Sequence, residues 1–256
     1  MTRNEEKQLK EKTHTLLMDN FTSNGKGYAI KVAQELLYAH DKGDDPRFKQ
    51  IVNGELCETV LEICVIDFVM NHEWAHDWVW DKGLVLRNKD GQFNSRFLTE
   101  LDFTLFTEDT VFLFECKSYS GEKTLTDLCT LTKTSTYRDA SGEMQKNTRT
   151  FDVFNQSSIH AQTLMRWMEP FTLRGATPKV QLVLFDFSRG GVKDLRTQSH
   201  KLLMPCVNET TVQNLFNKGQ PRWSLSHVAN AVNSLHRTSE FMEDAHYQYV
   251  TGLHKK

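Results

Sequence analysis

Asp102, Glu115 and Lys117 interrupt a stretch, Thr99 to Ser118, that is otherwise rich in Phe, Leu, Val and Thr. The stretch reads as two short strands joined at Glu108-Asp109. If those two residues form the loop, Thr107 faces Thr110, and counting back sets Asp102 opposite Glu115. Facing residues of an antiparallel pair share a face, with Cβ atoms about 5 Å apart. Lys117, two residues beyond Glu115, points the same way. A one-residue slip would send Glu115 to the other face, so this register is an expectation. Two carboxylates that close repel each other unless something positive sits between them. A divalent cation meets that need, since Mg²⁺ is typically held by one or two carboxylates and otherwise by water and phosphate oxygens. A lysine beside it can orient or deprotonate a water, or stabilise a pentavalent phosphate. The expected chemistry is metal-assisted phosphodiester hydrolysis.

Asp102 followed by Glu115-Cys116-Lys117 resembles the active-site signature of the PD-(D/E)xK nuclease superfamily. The continuation Glu115-Cys-Lys-Ser-Tyr-Ser-Gly121 is similar to the nuclease-related-domain (NERD) branch in particular. Two further elements agree in order. Gly54-Glu-Leu-Cys-Glu58-Thr-Val60 resembles the family's opening helix, which donates a glutamate; Glu58 is favoured and Glu55 is held in reserve. Gln156-Ser-Ser-Ile-His160 keeps the Gln-xxx-His spacing of a later helix, and Leu164 follows at the expected turn. That match is partial: the family's proline is missing, and Asn155 precedes the glutamine directly. The resemblance spans Gly54 to Arg237.

The resemblance implies a restriction-endonuclease-like core and a metal-dependent nuclease, with DNA the favoured substrate. Asp102, Glu115 and the backbone carbonyl of Cys116 would be ligands of Mg²⁺ or Mn²⁺. Glu58 would hold a second metal or its water. Lys117 would position or deprotonate the attacking water. Gln156 and His160 would orient the lysine or the scissile phosphate.

Two other classes compete. His72-Glu73-Trp-Ala-His76 matches the HExxH zinc-hydrolase motif, two imidazoles one helical turn apart with a glutamate base between them, and Glu100 is a candidate third ligand. Against it, Asp77 follows where such helices usually carry an uncharged residue, no HxxGxxH extension follows, and ten histidines make a chance match easy. The third class is a catalytically silent nucleic-acid- or protein-binding module on the nuclease fold. Intact Asp, Glu and Lys weigh against it, because an idle site has no reason to keep buried charges.

These residues must be carried by elements. Helices are expected over Glu5 to Met18 and Tyr28 to His40, broken at Asn24-Gly25-Lys26-Gly27 and followed by a linker, Lys42 to Pro46. Another helix starts at Asn53-Gly54 and runs to Asn71, with Leu56, Val60, Ile63 and Met70 as an apolar stripe. Trp78 to Arg87 reads as a strand, Asn88 to Gly91 as a turn, and the hairpin follows. Glu122 to Thr150 reads as a long polar loop carrying Lys123, Lys133, Arg138, Lys146 and Arg149 toward phosphates. A helix over Phe151 to Met168 and a buried strand over Pro178 to Phe187 come next. A strand over Leu202 to Val207 and short helices over Thr210 to Phe216 and Ser226 to His236 precede a polar tail from Arg237. The expected fold is α/β, a mixed central sheet flanked by helices. The expected organisation is an N-terminal helical extension (1–50), a nuclease-like domain (51–240) and a tail (241–256).

Composition sets the outer bounds. With 256 residues, 39% hydrophobic and 25% charged, the chain suits a globular domain with an extension. A net charge of −2 announces no bulk attraction for nucleic acid. It leaves room for a local basic patch, or for an ATPase, helicase or other protein partner that supplies affinity. Five cysteines, an odd number with no CxxC pair, argue against a disulfide framework and a cysteine-rich zinc site. A reducing cytoplasm is expected. The first residues lack a signal-peptide apolar region. The longest apolar run, Ile63 to Met70, is broken by Asp67 and too short to span a membrane.

Overall fold

A computed structural model describes residues 2–41, 45–87, 98–119, 121–138, 141–171, 178–223 and 225–250. Helices α1 (Arg3–Asn24), α2 (Lys26–Asp41) and α3 (Pro46–Asn71) precede strands β1 (Val79–Arg87), β2 (Leu98–Phe106) and β3 (Thr110–Lys117). Strands β4 (Glu122–Thr126), β5 (Thr130–Arg138) and β6 (Met144–Asp152) follow. Then come α4 (Val153–Met168), β7 (Lys179–Asp186), β8 (Lys193–Asp194), α5 (Gln198–Leu203), β9 (Cys206–Val207) and α6 (Leu225–Val250). The class is α/β, with helices flanking two mixed sheets of order β1-β2-β3-β7-β9 and β6-β5-β4-β8. Most of the expected linker, the turn after β1 and the last residues of the tail lie outside the described residues.

The chain divides into two compact units. The first comprises Met1–Asn71, Cys116–Phe154 and Leu184–Phe216. Its helix α1 starts with a capping box, the Glu5 amide donating to Thr2 Oγ1 and the Thr2 amide donating to Glu5 Oε2. Gly25 ends that helix at φ +82°, a conformation that costs glycine little. Helix α3 begins earlier than the expected Asn53, and the reason is local. Asp45 Oδ1 accepts the amides of Arg47 at 2.9 Å and Phe48 at 3.2 Å, and Pro46 sits in the first turn, where no amide is needed. The helix therefore runs straight through residue 50. It buries Leu56, Val60, Leu61 and Ile63 completely, and α1 and α2 pack on it and on each other. Each such side chain contributes roughly 1.5–3 kcal/mol of burial.

The polar segment expected as a loop is folded into strands. β4 pairs antiparallel with β5, and β5 with β6 along its whole length. Threonine dominates these strands, and a β-branched residue suits a pleated surface whether or not it is buried. Gly121, in the motif that follows Lys117, has φ +96°, and a Cβ there would meet the Thr134 carbonyl at 2.5 Å. Only glycine allows that approach.

The second unit comprises His72–Glu115, Asn155–Val183 and Asn217–Lys256. Its centre is the β2–β3 hairpin. Phe103 pairs with Phe114, Thr104 with Leu113, Leu105 with Phe112 and Phe106 with Val111. This is the expected register. The Thr107 amide donates to the Thr110 carbonyl at 3.0 Å, and the Arg222 amide donates to the Glu108 carbonyl at 2.8 Å. Phe106, Val111 and Leu113 meet Leu164 and Met168 of α4 and Leu235 of α6 in one apolar cluster. Helix α6 continues to Val250, through residues expected to form a polar tail. Its second half is anchored from one side: Met242 is buried and the Ser239 hydroxyl accepts the Val85 amide at 2.8 Å.

Candidate active site

In the second unit the rows of the hairpin face change from apolar to ionic along its length. Phe106 lies opposite Val111 and Thr104 opposite Leu113. The same register, continued, sets Asp102 opposite Glu115. On the other side of β2, Lys82 pairs with Phe103 and Leu84 with Leu101, so the position opposite Asp102 is Gly83. It carries no side chain and has φ +72°. The carboxylate row is thus Gly83, Asp102, Glu115. Helix α4 crosses this gradient with a matching stripe: Met168 and Leu164 belong to the apolar cluster, and His160 and Gln156 continue it at one-turn intervals. Gln156 Nε2 donates to Glu115 Oε1 at 2.7 Å. His160 Nδ1 lies 3.4 Å from Glu115 Oε2. Glu115 is 1% exposed, so these two side chains hold a carboxylate that is almost fully out of water. The expected Gln-xxx-His pair therefore meets the glutamate of the motif.

The first unit carries the remaining residues predicted from sequence. Cys116 and Lys117 complete β3, and both are half-buried. The Lys117 carbonyl accepts the Phe187 amide at 2.9 Å and the Cys57 thiol at 3.5 Å. The three glutamates of α3 have separate surroundings. Glu62 Oε2 lies 2.9 Å from His14 Nε2, and Glu55 is buried with its Oε1 accepting the Thr59 hydroxyl at 3.0 Å. Glu58 is half-buried.

Sequence reasoning missed a second ionic cluster in this unit. Lys123, at the start of β4, is buried with its Nζ 3.4 Å from Asp186 Oδ1 and 3.1 Å from the Tyr119 carbonyl. Ser188 Oγ accepts from the same ammonium and donates to Asp186 Oδ1 at 2.6 Å. Burial pushes the Lys123 ammonium below its usual range, against the pull of Asp186. Burial likewise raises the Asp186 carboxyl, against Lys123 and the Ser188 hydroxyl. The available signal was Lys123 within a period-two run, Lys123-Thr-Leu125, but an exposed loop was the simpler reading of so polar a segment.

The zinc motif lacks the helix it needs. Residues Glu73–Ala75 form a single 3-10 turn, and His72 has extended backbone, φ −134° and ψ 108°. The two imidazoles therefore do not stack on one helical face. Glu73 and His76 are exposed, and the His72 ring packs edge-on against Trp74. Glu100, the candidate third ligand, lies 3.7 Å from His246 Nδ1 instead.

Among the described residues no group of three or more His, Cys, Asp or Glu side chains is close enough to hold a metal ion. The donor set on the hairpin is two facing carboxylates. That number fits Mg²⁺ or Mn²⁺ completed by water and phosphate oxygens, and it does not fit an all-protein zinc cage. Among the described residues, no helix is long and apolar enough to cross a membrane. Comparison of the chain with protein-family models, with curated proteins and with solved structures finds no match.

Proposed function

We propose that the protein is a metal-dependent nuclease that hydrolyses phosphodiester bonds of DNA, built on a restriction-endonuclease-like core. The observation that carries this reading is Glu115, buried and held by Gln156, at the position that the register continued past Phe103–Phe114 sets opposite Asp102. Burying a carboxylate is costly unless it is paired or hydrogen-bonded, and the strand register places a second carboxylate across from this one, an arrangement that suits a bound cation. The element order α3, β1, β2, β3, α4, β7 supports the same core.

In this reading Asp102 and Glu115 would bind Mg²⁺ or Mn²⁺, with water and phosphate oxygens completing the shell. When bound, the cation supplies Lewis-acid polarisation of the phosphate and lowers the pKa of water. Lys117 takes or positions the proton of the attacking water. Gln156 and His160 act through Glu115 by holding its rotamer. They are positioning residues.

The test is cleavage of plasmid and single-stranded DNA by wild type and Lys117→Ala, each with Mg²⁺, Mn²⁺ or EDTA. Wild type is expected to cut only with metal, and Lys117→Ala to lose at least about a hundredfold in rate, the usual scale for a lost general base. A folded Lys117→Ala variant that cuts like wild type would remove this assignment.

A further inference from the structure

The strands that replace the expected loop keep their carboxylates off one face. On one face of the β5–β6 ribbon, from base to tip, Leu131 lies opposite Phe151, Lys133 opposite Arg149, Ser135 opposite Asn147 and Tyr137 opposite Gln145. No carboxylate occurs in these four pairs. The acidic residues of β4, β5 and β6 lie on the other face, where Thr130 opposes Asp152 and Glu122 opposes Thr134. Like charges directly opposite one another weaken a strand pair, yet Lys133 faces Arg149 and, on its other side, Lys123. Three cations share one cross-strand row. Lys123 is matched by Asp186. Lys133 sits over the Tyr119 ring at 5.0 Å, and that ring stacks on Phe151 at 5.1 Å. These rings fix the direction of the Lys133 stem. Arg149 and Asn147 are exposed.

We propose that this face of the β5–β6 ribbon enters the major groove of duplex DNA, with Lys133 and Arg149 on phosphate or guanine and Asn147 and Gln145 on adenine edges. The proposal deepens the nuclease reading by naming a duplex substrate, and rests on it for the meaning of that contact. A two-stranded ribbon fits the major groove, which is about 12 Å wide. The base of this face is buried at Leu131, and the seven residues from Thr132 to Arg138 give the rest a length of about 23 Å. Arginine, asparagine and glutamine are the side chains that read base edges bidentately there. Single-strand binders present aromatic rings to unpaired bases instead. Here Tyr119 and Phe151 stack on each other under Lys133, which leaves Tyr137 at the tip.

The experiment is fluorescence anisotropy with the full chain in EDTA, so that binding is read without cleavage, on a labelled duplex and on its single strand at several salt concentrations. Arg149→Glu removes one phosphate contact and adds repulsion. It is expected to weaken duplex binding by at least roughly tenfold and to lower the salt slope by about one. The same change sets a carboxylate opposite Lys133 across the strands, so thermal stability should rise or hold, which separates lost binding from lost folding. Lys146→Glu, on the other face, should cost less than about threefold. The proposal is overturned if Arg149→Glu binds duplex within about twofold of wild type, if wild type prefers the single strand, or if duplex binding is undetectable at about 50 mM salt. Metal- and Lys117-dependent cleavage with unchanged Arg149→Glu binding would remove the ribbon contact and keep the nuclease. Ribbon-dependent binding without such cleavage would do the reverse.

Discussion

Replacing Asp186 by alanine leaves the Lys123 ammonium in a buried site without its carboxylate. In the intact protein the Lys123 side chain has no solvent exposure, Asp186 has 6%, and the two lie 3.4 Å apart. Breaking a buried pair from one side typically costs about 3–5 kcal/mol. The variant has one escape, which is to release the proton. Burial already depresses the Lys123 pKa against the attraction of Asp186, so removing Asp186 depresses it further. Between that lowered value and the unfolded value of about 10.4, the unfolded chain holds a proton that the folded chain does not. Stability therefore rises with pH across this window, by up to about 1.4 kcal/mol per unit, and is lost as pH falls through the folded pKa. Urea unfolding of wild type and Asp186→Ala at about pH 7 and about pH 9 reads both quantities. The expected gap is about 3–5 kcal/mol at the lower pH and smaller at the higher. Lys123→Met/Asp186→Leu should recover most of it, since an apolar pair of similar volume carries no desolvation cost. A loss below about 1 kcal/mol, or a gap that does not change with pH, would refute the account of a desolvated, mutually dependent pair.

Other outcomes follow from the same geometry. Gln156→Ala removes the hydrogen bond to a buried carboxylate and should destabilise the protein by about 1.5–3 kcal/mol. In a chain of this size that lowers Tm by roughly 3–12 °C, readable by calorimetry; an unchanged Tm would mean that the bond is not made. Cys64 and Cys206, whose thiols burial pushes up to about 12, should resist maleimide in the native protein at neutral pH and react only on unfolding, as counted by intact mass. Rapid native labelling of either would contradict that burial.

The hairpin register was legible because Glu108-Asp109 is the only polar break between two apolar runs, and a two-residue loop leaves one pairing. The α4 stripe was legible for the same kind of reason: Gln156, His160 and Leu164 recur at helical spacing. The Thr- and Lys-rich segment after Ser120 was not. Its strands are exposed on both faces toward the tip, so no alternation of apolar and polar residues marks them. HExxH, already disfavoured by its sequence context, presumes an α-helix, and Glu73–Ala75 form one 3-10 turn instead.

Sequence alone therefore determined the hairpin register and the Gln156–His160–Leu164 stripe, because periodicity and turn residues act locally. Only the tertiary structure decided the partners. Gln156 and His160 are given to Glu115, Glu62 to His14 and Glu100 to His246. Asp186 and Lys123, far apart in the chain, became a buried pair. A partner is a matter of distance in space, and residues remote in sequence reach hydrogen-bonding range only once sheets and helices have packed.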